Sequence, residues 1–282
     1  MNSISRRRLL QQGGILPIAA SIRPNFAAAD PTSDHRKDLN MVSDTFPSQP
    51  HELVREMVTV SHFDLKRVQE LTAARPSLVN ASWDWGFGDW ETPLGAASHM
   101  GNRPIAEFLL SRGAPPTLFS AAMLGQLETV KAMLAATPGI ERDRGPHSIS
   151  LLGHARMGGE RSREVLEWLK PREGAESDPP IKLSDDEATK LVGTYAFGIG
   201  VSQQIELSAD MQMYKGAMYA YSPQLNWTRK GTMTRPLFHL GQRVFYPAGA
   251  PSARIEFKEE PTSWVMEIRD GDLAFTATRK KA

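Results

Sequence analysis

Thr92-Pro-Leu-Gly-Ala-Ala-Ser-His-Met-Gly-Asn-Arg-Pro-Ile-Ala-Glu-Phe-Leu-Leu-Ser-Arg-Gly-Ala114 is the stretch that decides the fold. A second run, Leu118-Phe-Ser-Ala-Ala-Met-Leu-Gly-Gln-Leu-Glu-Thr-Val-Lys-Ala-Met-Leu134, repeats its plan. Each begins with a short helix of small residues, turns at a glycine, and continues as an amphipathic helix. Pro93 suits a first helical turn, where its missing N–H has no partner to lose. Ala96, Ala97, Ala121 and Ala122 are small enough for stacked helices to approach closely. Gly101 and Gly125 end the first helix in a conformation that glycine adopts without strain. Ile105, Phe108, Leu109 and Leu110 then line one face of the second helix.

This pattern resembles the ankyrin repeat, with Thr92-Pro93-Leu94 as the opening and Gly95 where histidine is usual. The resemblance implies a helical solenoid that binds protein partners. Two poorer copies flank the pair. Upstream, Leu53, Val54, Met57 and Val58 precede a helix from Phe63 to Leu71, with Phe63 at the glycine position. Downstream, the segment from Ser150 to Gly159 leads to Val165, Leu166, Trp168 and Leu169. The turns are spaced 38, 24 and 34 residues apart (Phe63, Gly101, Gly125, Gly159), against about 33 for an ankyrin repeat. The short middle junction, Ala114-Pro-Pro-Thr117, has therefore lost its β-hairpin finger, and the outer two keep theirs.

The retained fingers are the expected working surface, because binding residues concentrate on loops held by a rigid scaffold. The first finger carries Trp83, Asp84, Trp85, Phe87, Asp89, Trp90 and Glu91. The second carries Arg142, Arg144 and His147. An acidic, aromatic loop facing a basic one is a clamp for a protein or peptide. The alternative is that the tryptophans pack on the truncated neighbouring repeat. The histidines form no HExxH and no i,i+4 pair on an expected helix. His62, His99, His147, His154 and His239 accordingly read as structural, with no metal and no cofactor expected.

Residues 1–29 resemble a bacterial twin-arginine export signal. Ser5-Arg6-Arg7-Arg8-Leu9-Leu10 is followed by a mild apolar stretch and by Ala27 and Ala29, a cleavage box before Asp30. The resemblance implies a periplasmic or secreted protein. Residues 30–50 read as a polar tether and 51–170 as the repeat array. The whole chain of 282 residues has a formal charge of +1. Arg6, Arg7, Arg8 and Arg23 stand in the signal without a single acid, so the remainder is mildly acidic, which argues against nucleic acid as a partner. The absence of cysteine excludes disulfides and thiolate chemistry. No apolar run reaches the roughly 18 residues of a membrane span.

Residues 171–183 are rich in Pro, Gly and acid and read as a linker. Ser184-Asp-Asp-Glu187 is a capping box that should open a short helix. From Gly193 onward the hydrophobic period falls to about two, giving roughly eight short strands over 184–282. The expected architecture is thus α + β and multidomain: a helical solenoid followed by a small antiparallel barrel or sandwich. Leu191-Val-Gly193-Thr-Tyr195 and a last strand closing on Arg279 resemble the small lipocalin-like domains that accompany bacterial hydrolases. No GxSxG is present. The function expected is non-enzymatic protein binding. The alternatives are a carrier of a small apolar ligand in the barrel and an accessory subunit of a hydrolase.

Overall fold

The computed structural model describes residues 46–179, 181–198, 204–208, 219, 225–230 and 232–281. The export signal with Arg6, Arg7, Ala29 and Asp30, most of the tether, and, Tyr219 apart, the strands expected at 212–214 and 217–220 lie outside the described residues.

Helices come in pairs: α1 (His51–Val60) with α2 (Leu65–Ala74), α3 (Pro93–His99) with α4 (Arg103–Ser111), α5 (Leu118–Met123) with α6 (Leu127–Ala136), and α7 (Leu151–Met157) with α8 (Arg163–Leu169). Side chains at the boundaries explain where they start. Thr92, Thr117 and Ser150 each accept a hydrogen bond from the backbone N–H three residues on, satisfying one of the donors a helix start leaves orphaned. The first helices contact one another, α1 with α3, α3 with α5 and α5 with α7. All seven residues of α3 are buried, which is why its sequence is almost entirely small or apolar. Helix α7 also touches α3. Gly101, at φ +67°, permits this: a Cβ there would lie 2.2 Å from the Met157 carbonyl oxygen.

The C-terminal part is a closed eight-stranded barrel in which sequence neighbours pair antiparallel. Its strands are β3 (Gly193–Ala196), β4 (Gln204–Ser208), β5 (Leu225–Arg229), β6 (Arg235–Gly241), β7 (Val244–Pro247), β8 (Arg254–Glu260), β9 (Ser263–Asp270) and β10 (Leu273–Arg279). β10 pairs with β3 and closes the ring. β6 runs unbroken from Arg235 to Gly241. The capping box at Ser184 does open a helix, α9 (Asp185–Leu191). Its Ala188 and Leu191 pack with Tyr195, Leu237, Phe245, Phe257 and Met266 in one buried cluster. These aromatics are therefore core residues.

Leu191, Gly193, Tyr195 and Arg279 have a physical account. The Tyr195 hydroxyl donates to the Leu191 carbonyl at 3.0 Å, and Arg279 donates to the Lys190 carbonyl at 2.8 Å. Gly193 lies beneath that guanidinium, and a Cβ on it would stand 2.8 Å from Arg279 Nε. Leu, Gly, Tyr and Arg together tie the entry helix to the strand pair that closes the barrel.

The segment read as a linker behaves differently. Ala175 is fully buried against α7 and α8, and the Leu152 amide donates to its carbonyl. Glu176 accepts from Ser150 and Arg156. Farther along, Ile181 exchanges hydrogen bonds with His239 of β6. The Pro, Gly and acidic composition serves a packed strap rather than a free tether. No helix among the described residues is long and apolar enough to cross a membrane.

Candidate functional site

The first finger is a true hairpin, with β1 (Trp83–Asp84) paired to β2 (Trp90–Glu91). Side chains alternate along an extended chain, so Asp89 and Glu91 share one face and Trp90 takes the other. Trp90 is 61% exposed, whereas Asp89 and Glu91 are buried. The second finger is not a ladder. It is two single-turn helical segments, Ile140–Arg142 and Pro146–Ser148, closed by one bridge from Arg144 to Ser150.

The two fingers meet through His147. Its backbone N–H donates to Asp89 Oδ1 at 2.9 Å, and its Nδ1 lies 2.8 Å from Asp89 Oδ2. His147 and Ser148 both have φ near +60°, a conformation that costs a non-glycine residue on the order of 1–3 kcal/mol. The carboxylate clasp holds the first of them. The barrel holds the second: the Gly249 N–H donates to Ser148 Oγ at 2.8 Å, and Tyr219 donates to the His147 carbonyl at 2.8 Å. Arg235 of β6 stands 3.4 Å from Asp89 Oδ2. Phe87, at the hairpin tip, packs against Trp227 and the barrel cluster. The fingers thus dock on the chain's own barrel.

Behind Asp89 lies a second layer. Glu91 Oε1 is 2.8 Å from His99 Nε2 and 3.5 Å from His147 Nε2, and Glu91 Oε2 is 3.5 Å from His62 Nε2. The Trp85 indole donates to Glu91 Oε2 at 2.7 Å. His62 Nδ1 faces the Val58 and Thr59 carbonyls at 3.0 Å, which directs Nε2 inward. The four residues are buried, and one ligand atom from each lies within 4.8 Å of the others, an arrangement able to hold a metal ion. Their electrostatics diverge. Burial lowers the His62 pKa to about 4. Burial also disfavours a charged His147, but the Glu91 field and the hydrogen bond to Asp89 outweigh it and raise the pKa to about 10. Burial alone would push Glu91 up, yet the surrounding imidazoles hold it well below the usual carboxylate range.

Of the residues expected to form a clamp, Trp85, Asp89, Glu91 and His147 are drawn into this interior cluster. Phe87 is taken by the barrel, and Trp83 and Asp84 are half-buried in the hairpin, with Asp84 accepting the Gly86 N–H at 2.7 Å. Only Trp90 points outward as a large exposed apolar side chain. The basic residues do not face the acidic hairpin: Arg142 pairs with Glu173 at 3.0 Å, and Arg144 donates to the Gly174 and Glu176 carbonyls at 3.0 Å. Their partners are in the strap, which explains the difference.

His62, His99 and Arg235 were missing from the expected site. A signal for the first two exists. Ser61-His62 and Ser98-His99 recur close to the turn of two consecutive helix pairs, one residue out of register with the turns, and the imidazoles lie side by side, 4.9 Å between ring centroids.

Residues 89–120 match the ankyrin-repeat family model. The match begins on the finger strand that carries Trp90 and runs through α3 and α4 into α5. No curated protein matches the chain.

Proposed function

We propose that the chain is an exported, non-enzymatic protein-binding scaffold whose four helix pairs are ankyrin repeats, the terminal ones degenerate. The observation that carries this is the ankyrin match over 89–120 combined with Trp90, a large aromatic left exposed on the rigid hairpin where that match begins. Aromatic anchors of this kind dominate binding energy at protein interfaces. Asp89, Glu91 and His147 act inside the molecule, so the partner is met by Trp90 and the outward half of the finger. Support for the export reading remains the Arg6-Arg7 motif and the Ala29-Asp30 cleavage box.

The test is native co-purification from cells expressing the full chain, scored against Trp90→Ala. Loss of a specific partner with an unchanged far-UV CD melt supports the reading. Retention of every partner by the variant overturns it. N-terminal sequencing of the exported protein should begin at Asp30, and Arg6→Lys with Arg7→Lys should leave the precursor unprocessed in the cytoplasm.

A further inference from the structure

We propose that His62, Glu91, His99 and His147 form a closed site for a single divalent d-block ion of the zinc type. The site is distinct from the partner surface, and it stands whether or not Trp90 binds a protein.

Geometry is the first argument. An ion with bonds of about 2.0–2.1 Å to nitrogen and oxygen sets tetrahedral ligands about 3.3 Å apart. Glu91 already stands 3.5, 2.8 and 3.5 Å from the inward nitrogens of His62, His99 and His147. The full set spans 4.8 Å, so closing on an ion requires side-chain shifts of about an ångström or less.

Orientation is the second. Metal-bound imidazoles characteristically donate their other N–H to a carboxylate or a backbone carbonyl. His147 does so through Asp89, and His62 through the Val58 and Thr59 carbonyls. Asp89 is in turn held by Arg235. Donation from His147 Nδ1 to Asp89 directs Nε2 at the Glu91 carboxylate, 3.5 Å away.

The third argument is an unsatisfied atom. His147 Nε2 is buried and makes no well-formed hydrogen bond, although Glu91 Oε1 stands 3.5 Å away. Buried polar groups are rarely left so. An ion between His147 Nε2 and the Glu91 carboxylate would take the place of the imidazole proton, and the other two imidazoles, His62 and His99, supply the remaining ligands. Three nitrogens and one carboxylate oxygen suit zinc better than calcium or magnesium, which take oxygen ligands. With four protein donors and all four residues buried, no coordination position opens to solvent, so the ion is structural rather than catalytic. It joins four segments: the turn after α1, the first finger, the end of α3 and the second finger.

The experiment uses the full chain purified without chelators. Elemental analysis should find one equivalent of zinc or a related ion. After metal removal, Zn²⁺ should bind at one equivalent and raise the melting temperature. Co²⁺ should give the intense visible bands of a tetrahedral site. Asp89→Asn, a positioning variant outside the ligand set, should weaken Zn²⁺ binding about 10–100-fold. His99→Gln should abolish the Co²⁺ bands, whereas His154→Gln, outside the cluster, should leave one equivalent bound. A chain that neither carries nor takes up metal, or binds Co²⁺ without tetrahedral bands, overturns the proposal whatever the variants do.

Discussion

Replacing Gly249 with alanine perturbs the junction between barrel and fingers at one atom. Gly249 has φ +82°, and a Cβ there would fall 2.1 Å from Asp89 Cγ and within 2.3 Å of both its oxygens. Two costs follow. Holding alanine in a left-handed conformation costs about 1–2 kcal/mol. Displacing the buried carboxylate from His147 and Arg235 adds about 1–3 kcal/mol for groups left unsatisfied. The variant should therefore lose about 2–5 kcal/mol in urea unfolding. Gly271→Ala is the matched control. Gly271 has φ +62° in the turn between β9 and β10, and nothing lies within 4 Å of its Cβ position, so only the backbone cost of about 1–2 kcal/mol applies. A double variant separates the terms further: with Asp89→Ala in place, Gly249→Ala should cost no more than the control. Equal losses for Gly249→Ala and Gly271→Ala in the parent chain would refute the reasoning, since Asp89 would then not be sealed beneath the barrel.

Three further outcomes follow from the helical half. His154 is buried, and burial lowers its pKa to about 3. The folded chain keeps it neutral while the unfolded chain takes up a proton below about pH 6.5, so stability present above that pH is lost as pH falls toward 3. The slope is at most about 1.4 kcal/mol per pH unit. His62 contributes in the same direction, so the difference between parent and His154→Leu profiles over pH 4–7 is the quantity to measure, and a variant of unchanged slope defeats the assignment. Thr117 and Ser120 cap α5 reciprocally, at 3.0 and 2.9 Å. Thr117→Ala should lower stability by about 1 kcal/mol in the same urea assay. Gly125, at φ +73°, has Arg161 O only 2.0 Å from its Cβ position. Gly125→Ala should lose more than about 3 kcal/mol, and Gly113→Ala, with open space around it, clearly less.

The helix pairs were legible because a 3.6-residue period, small residues at the stack and glycine at the turn all encode local geometry. The barrel was legible as strands and as one of two alternatives, barrel or sandwich, which the strands alone did not separate. Closure depends on β10 meeting β3, a pairing of residues more than 80 positions apart (Arg279 with Tyr195), and nothing local records it. The strap was misread for a related reason. Gly, Pro and acid describe a segment with no periodicity, whether it is free or pinned, and the pins, Arg156 and Ser150, come from α7. At the site, sequence pointed to the first finger but did not divide its residues between interior and surface. Alternation around Trp90 already separates Asp89 and Glu91 from the tryptophan. Which face is buried is set by His62, His99, His147 and Arg235, which arrive from four other segments.

Gly95 connects these levels. It stands where ankyrin repeats usually carry histidine, an apparent defect in an otherwise matching opening. A Cβ at that position would lie 3.3 Å from Pro146 Cγ, so a side chain there presses on Pro146, and one as large as histidine presses harder. Pro146 immediately precedes His147. The missing side chain at 95 is thus what lets the second finger come down over α3 and bring its imidazole to Glu91. This departure from the repeat pattern, a glycine for a histidine, lets the second finger close on the first. On this argument Gly95→His, which restores the residue usual in the repeat, should expel Pro146 and open the His147–Asp89 clasp.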